Sequence, residues 1–272
     1  TKSKESPYGA FSDYTSLLPY ETPYKNGTLV KQLYYSRKGS NSVNNPLYEA
    51  TLSNYEWSAY DEIIDNLSVN WYLNDYLTVK GQFSVTKQYT SSERFYDPLS
   101  SKVSVYGTTD TKLQGDLFTG EGSSLSWNSN AFLYYTRSFG NHNFNFSGGW
   151  EASAYNTENT SAQYRGFPSG QFNSLNYASE IYKKPTLTEN TTRRVSILAT
   201  LNYTWNDIYL ADASVRFDGS SEFGANQKWA PFFSGGLGVN IHNYDFLKGN
   251  EKINKLKVRA SYGRTGKVNF PA

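Results

Sequence analysis

The chain has 272 residues, with 26 Lys and Arg against 24 Asp and Glu, two His, no Cys and no Met. A net charge of +2 supplies no concentrated basic surface for nucleic acid, and the lack of Cys excludes disulfide scaffolds, thiolate zinc centres and Cys nucleophiles. No apolar run approaches the ~18 residues of a spanning helix, which leaves open a membrane barrel, whose alternating strands are polar on average.

The chain starts TKSKESPY, with neither an initiator Met nor the apolar core of a signal peptide, so a processed chain or a piece of a longer one is expected. Residues 1–55 fit no strand pattern. Pro7, Pro19, Pro23 and Pro46 with the Asn26-Gly27 turn signal read as an extended, loop-rich segment. Tyr8, Phe11, Tyr14, Tyr20, Tyr24, Tyr34, Tyr35 and Tyr48 make it too aromatic for a disordered tail, and it reads as an external loop.

From residue 56 to 272 the chain reads as about eight strands arranged as hairpins, each with one apolar and one polar face. In the first hairpin Leu67, Val69 and Trp71 alternate with Ser68, Asn70 and Tyr72; after Asn74-Asp75, Leu77, Val79, Phe83 and Val85 alternate with Thr78, Lys80, Gln82 and Ser84. The second turns around Gly140-Asn141 between Leu125–Tyr135 and Phe144–Ala152. The third sets Val195, Ile197, Ala199 and Leu201 before the Asn206-Asp207 turn and Ala211, Ala213, Val215 and Phe217 after it. A fourth, less regular pair carries Phe233, Leu237 and Val239, then Leu256, Val258 and Ala260.

A soluble sandwich would bury the apolar face, whereas a membrane barrel shows it to lipid and keeps polar side chains in the lumen. Three features favour the barrel. Short turns alternate with irregular loops expected at 87–122 and 155–190. Aromatics gather at the short-turn ends (Trp71, Tyr72, Tyr76, Phe139, Trp205, Tyr209, Tyr244, Phe246), as at a membrane interface. The polar face carries Lys80, Glu151, Arg194, Asp212, Arg216, Lys257 and Arg259, which a dry core would tolerate poorly and a wet lumen accepts.

The stretches RFDGSSEFG at 216–224, KWAPFFSGGLGVNI at 228–241 and DFLKGNEKINKLKVRASYGRTGK at 245–267 resemble the SusC/RagA family of TonB-linked outer-membrane transporters of Bacteroidota. The resemblance implies an all-β fold: a central-to-late segment of an antiparallel, up-and-down transmembrane β-barrel of the 22-stranded type, with short periplasmic turns and long extracellular loops. It implies residues 1–272 as part of one barrel domain in the outer membrane, without the plug domain or TonB box. The implied activity is TonB-driven import of oligosaccharides or peptides under a SusD-like lipoprotein lid, with no cofactor, no nucleic acid and no catalytic residue. The rival expectation is a soluble extracellular β-sandwich that binds carbohydrate.

In the external loops, Arg94, Phe95 and Tyr96, and then Tyr164, Arg165 and Phe167, combine stacking surfaces with a guanidinium and are the expected contacts for substrate or lid. His142 and His242 read as solvated turn residues, since a metal or triad needs convergent partners. Asp218 and Glu222 offer too few carboxylates for calcium, and the run reads as a hairpin turn. Glu151 and Asp212 share their face with four basic residues, which favours charge balance over a glycosidase pair. Gly235, Gly236 and Gly238 sit in a strand, where small residues permit bending or close approach.

Overall fold

The computed structural model describes residues 2–4, 6, 8, 15, 17, 20–33, 43–103, 110–223, 228–247 and 252–264. The expectations on Phe11, Tyr14, Pro7, Pro19, Tyr34, Tyr35 and Gly224, and on the Thr265-Gly266-Lys267 end of the third motif, lie outside the described residues.

The early chain forms small pieces: β1 (Lys2–Lys4), β2 (Tyr24–Lys25), β3 (Thr28–Leu29), β4 (Gln32–Leu33), β5 (Val43–Asn44) and the one-turn helix α1 (Pro46–Glu49). The β2–β3 hairpin turns at Asn26 and Gly27, both with positive φ, the backbone that a two-residue primed turn demands. Asn45 caps α1 through its side-chain oxygen to the Leu47 amide, and Pro46 takes the first helical position, where a missing N–H costs nothing.

The long strands follow: β6 (Tyr55–Asn74), β7 (Leu77–Tyr96), β8 (Asp116–Phe139), β9 (His142–Arg165), β10 (Glu180–Trp205), β11 (Tyr209–Ser220), β12 (Trp229–Asn240) and β13 (Lys257–Arg264). They form one antiparallel sheet in sequence order, with β1 on the outer edge of β6. From β6 to β13 every neighbour is a sequence neighbour, so this part of the sheet is an up-and-down meander. The turns fall where the sequence placed them, with Asn206 and Asp207 both in the left-handed region between β10 and β11.

The expected loops are shorter than the sequence suggested. β7 continues to Tyr96, β8 begins at Asp116, β9 continues to Arg165 and β10 begins at Glu180, so each of these two connections is shorter at both ends than expected. The reason is that alternation marks a strand only when one face is apolar, and 157–165 (TENTSAQYR) and 180–190 (EIYKKPTLTEN) are polar on both faces. Strands of 20 to 26 residues exceed the ~9–11 needed to cross a bilayer.

The register fixes the two faces. Leu201 pairs with Ala213, Ala199 with Val215 and Ile197 with Phe217, while the intervening Asn202 pairs with Asp212 and Thr200 with Ser214. The apolar set extends through Ala211–Leu237–Ala260 and is exposed rather than buried: Ile197 keeps 53% of its surface, Leu237 70% and Val258 57%. A sandwich requires the opposite, and the expectation of one is not supported. No helix among the described residues is long and apolar enough to cross a membrane, which says nothing of crossing by strands.

The chain divides into two compact units. The first (Thr1–Glu62, Gln88–Ser124, Thr157–Glu189) holds the long connections and a small core of Phe95, Leu117 and Phe167. The second (Ile63–Lys87, Leu125–Asn156, Asn190–Ala272) holds the short turns and the apolar stripe.

Candidate functional site

In the second unit, the polar face is a surface of hydroxyls and matched charges. Ser147 bonds Thr200 at 2.6 Å, and Ser214 bonds Ser234 at 2.7 Å on the neighbouring pair of strands. Arg216 binds Asp218 through Nε at 2.5 Å, Ser196 through Nη2 at 3.0 Å and Glu151 through Nη2 at 3.5 Å. Arg194 pairs with Glu222 at 2.7 Å and Arg259 with Asp212 at 2.7 Å. The carboxylates weighed above as a glycosidase pair or calcium ligands are thus held by guanidiniums. Lys80 lies over the Tyr134 ring at 5.3 Å, and Lys257 sits opposite Asn240. A shallow concavity of about 370 Å³ opens on this face, lined by Ser84, Thr86, Ser126, Asn128, Thr192 and Arg194 among others.

In the first unit the expected contact residues part company. Phe95 and Phe167 are 0% and 3% exposed and meet edge to face at 5.1 Å, with Tyr55 stacked on Phe95 at 5.6 Å. Both rings are core and have no face left for a ligand, which corrects the expectation for them. The neighbouring positions point elsewhere: Arg94 lies over the Tyr96 and Phe118 rings, 5.3 Å from each centroid, and its Nε is buried without a hydrogen-bond partner among the described residues. Lys102 joins them, its Nζ 5.1 Å from the Tyr96 ring. Tyr164 packs against the core, and Arg165 pairs with Glu180 at 2.5 Å while covering Tyr182. Strand alternation alone separates Arg94 and Tyr96 from Phe95.

Sequence reasoning missed the group that holds the connections in place. The buried Glu49 carboxylate accepts from Asn54 Nδ2 at 2.7 Å, Ser100 Oγ at 2.6 Å, the Ser101 amide at 2.9 Å and the Ser101 hydroxyl. Asp97, also buried, accepts from the Ser53 and Leu99 amides, and its own amide donates to Asn54 Oδ1. No local motif announces a contact spanning some fifty residues of sequence.

His142 is exposed and His242 partly so, as turn residues are expected to be, and each also has a partner. His142 Nδ1 lies 2.7 Å from the Tyr203 hydroxyl and its ring stacks on Trp205. His242 Nδ1 faces the Leu256 backbone. No group of three or more His, Asp or Glu converges as a metal site among the described residues.

No family model matches the chain. The TonB-dependent receptor SusC of Bacteroides thetaiotaomicron is 27% identical over 98% of the chain and 25% of the receptor's length. The RagAB peptide transporter structure superposes on 88% of the chain and 26% of its own with a TM-score of 0.72, at 23% identity. The chain is similar to receptors of the SusC/RagA type. A second curated relative, the TonB-dependent receptor P3 of Formosa agariphila, is 35% identical over 136 residues, half of this chain and 14% of the receptor. The chain thus spans about a quarter or less of the length of these relatives.

Proposed function

We propose that this SusC/RagA-type chain forms part of the barrel wall of a TonB-dependent outer-membrane importer in a Bacteroidota-like Gram-negative cell. The importer carries oligosaccharides or peptides under a SusD-like surface lipoprotein, with TonB acting on another part of the barrel's plugged assembly. It binds and passes ligand and performs no bond chemistry. The observation that carries the reading is the pairing of an exposed apolar stripe with an opposite face of matched charges. Lipid covers the first and a watery lumen suits the second.

In this reading Lys80, Glu151, Arg194, Asp212, Arg216, Lys257 and Arg259 line the lumen. Arg94 and Tyr96, with Tyr164 and Arg165, remain the contacts for ligand or lid; Lys102 and Phe118 extend that group. Peptide as the ligand draws on the RagAB likeness, and oligosaccharide on the family resemblance.

The chain has no cysteine, so single cysteines report on each face. In native membranes, Leu201→Cys is expected to react with a lipid-soluble maleimide and resist a charged one, and Asn202→Cys to show the reverse. Protection of Leu201→Cys from both reagents would place the stripe in a protein core and restore the soluble sandwich.

A further inference from the structure

The apolar face ends in a belt of rings near the short turns. Phe139 meets Phe144 at 6.1 Å, Phe144 meets Tyr203 at 4.9 Å, and Trp205 stacks on Tyr209 at 5.3 Å. Tyr203 pairs with Ala211 and so stands on the Leu201 stripe. Within this belt sits one guanidinium. Arg137 lies two residues before Phe139 on β8, its Cζ 4.3 Å from the Phe139 centroid and 4.4 Å from the Tyr76 centroid. The contact with Phe139 puts Arg137 on the apolar side.

Stacking occupies the faces of the guanidinium and leaves its N–H donors pointing outward in its own plane. Among the described residues no carboxylate, hydroxyl or carbonyl takes them, whereas Arg194, Arg216 and Arg259 on the opposite, polar face each have a carboxylate partner. A half-buried cation, held flat by two exposed rings at the rim of an apolar surface, calls for an anionic acceptor that brings its own apolar body.

We propose that Arg137, Tyr76 and Phe139 form a clamp for the phosphate of a membrane glycerophospholipid. The guanidinium takes two phosphate oxygens in its plane, the rings hold it against rotation, and the acyl chains lie along the stripe of Leu133 and its neighbours. Interfacial aromatics and a basic residue supply the two halves of such a site. The inference rests on the membrane reading above.

Its test is native mass spectrometry of the protein purified in mild detergent and offered phosphatidylglycerol, diacylglycerol with the same chains, or inorganic phosphate. The wild type is expected to retain phosphatidylglycerol, to retain little diacylglycerol, and to keep its lipid in millimolar phosphate. Arg137→Gln is expected to lose roughly fivefold in retained phosphatidylglycerol, the scale of one basic residue at an anionic surface. Arg137→Lys keeps the charge without the planar fork and should fall between. Equal retention by Arg137→Gln, equal retention of diacylglycerol, or displacement by inorganic phosphate each overturns the clamp.

Heat-modifiable migration certifies folding of each variant. If Arg137→Gln does not fold, the Tyr76→Leu and Phe139→Leu pair, which removes the rings and keeps the cation, must show the loss instead. A wild-type protein recovered from the soluble fraction would sink the membrane reading itself; a membrane-embedded protein with Arg137-independent retention sinks only the clamp.

Discussion

Arg259 on β13 reaches across β12 to Asp212 on β11, and the bridge exists because the strand between them carries no side chain there. Asp212 pairs with Gly236 and Arg259 with Gly238, so the guanidinium and carboxylate meet at 2.7 Å over two glycines. A Cβ added at Gly236 would stand 2.8 Å from Asp212 Oδ1 and 2.9 Å from Oδ2. Gly236→Val is therefore expected to push the carboxylate aside and cost about 1–3 kcal/mol through crowding. Asp212→Asn, which loses only a partly exposed pair, is expected to cost about 0.2–1 kcal/mol. The midpoint of heat-modifiable unfolding for the two variants reads this order.

In the proposed membrane reading, a charge on the other face meets a different solvent. Ala199 lies in the exposed stripe between Ile197 and Leu201 and pairs with Val215. Ala199→Arg is expected to cost ~2–4 kcal/mol if that position faces the bilayer midplane. A variant that still inserts, with reduced yield and a lowered unfolding midpoint, fits a lipid face. A complete failure to fold would fit a packed core.

Glu49 is expected to be intolerant even of its amide. Each carboxylate oxygen accepts an N–H donor, Oε1 from the Ser101 backbone and Oε2 from Asn54 Nδ2. Whichever way Glu49→Gln turns, its new NH₂ confronts one of them. Asn54 cannot flip in response, since its Oδ1 accepts the Asp97 amide at 2.8 Å. A buried donor left facing a donor costs about 1–3 kcal/mol. Hydrogen exchange at Ser100 and Val103, whose amides close the 97–103 turns, should accelerate while the β10–β13 strands stay protected.

The long hairpins were legible because each pairs a period-two pattern with a turn signal, and Gly140-Asn141 and Asn206-Asp207 turn in the structure; at Asn26-Gly27 only the turn was legible. Parity also put Asp212 and Arg259 on one face. It could not show that they touch, because that depends on the glycines of a third strand. Where both faces are polar, as over 157–165 and 180–190, no sequence contrast separates strand from loop. Phe95 looked like a ligand platform for the same reason: aromatic content says how much surface a residue offers, and only the packing of 166–179 over it says to whom.

Tyr55 ties stability to alkaline pH. It lies at the connection end of β6 in the first unit, stacked on Phe95, with its hydroxyl donating to Glu93 Oε1 at 2.6 Å. Burial first, and then the Glu93 carboxylate as acceptor and as neighbouring charge, push its pKa far above the ordinary tyrosine value of 10.0. The folded state therefore favours the protonated phenol. Its contribution is fully present below about pH 10, where the unfolded chain is also protonated, and is lost as pH rises from there toward the folded pKa. Tyr55→Phe removes the donor and is expected to lower stability at neutral pH by about 1.5–3 kcal/mol, the scale of a hydrogen bond to a charged group. Because Phe does not titrate, the gap between wild type and variant should be constant from pH 7 to about 10 and narrow above it. Limited proteolysis of the 166–179 connection across that range measures the gap, and a gap that stayed constant above pH 10 would show that Tyr55 titrates alike in both states.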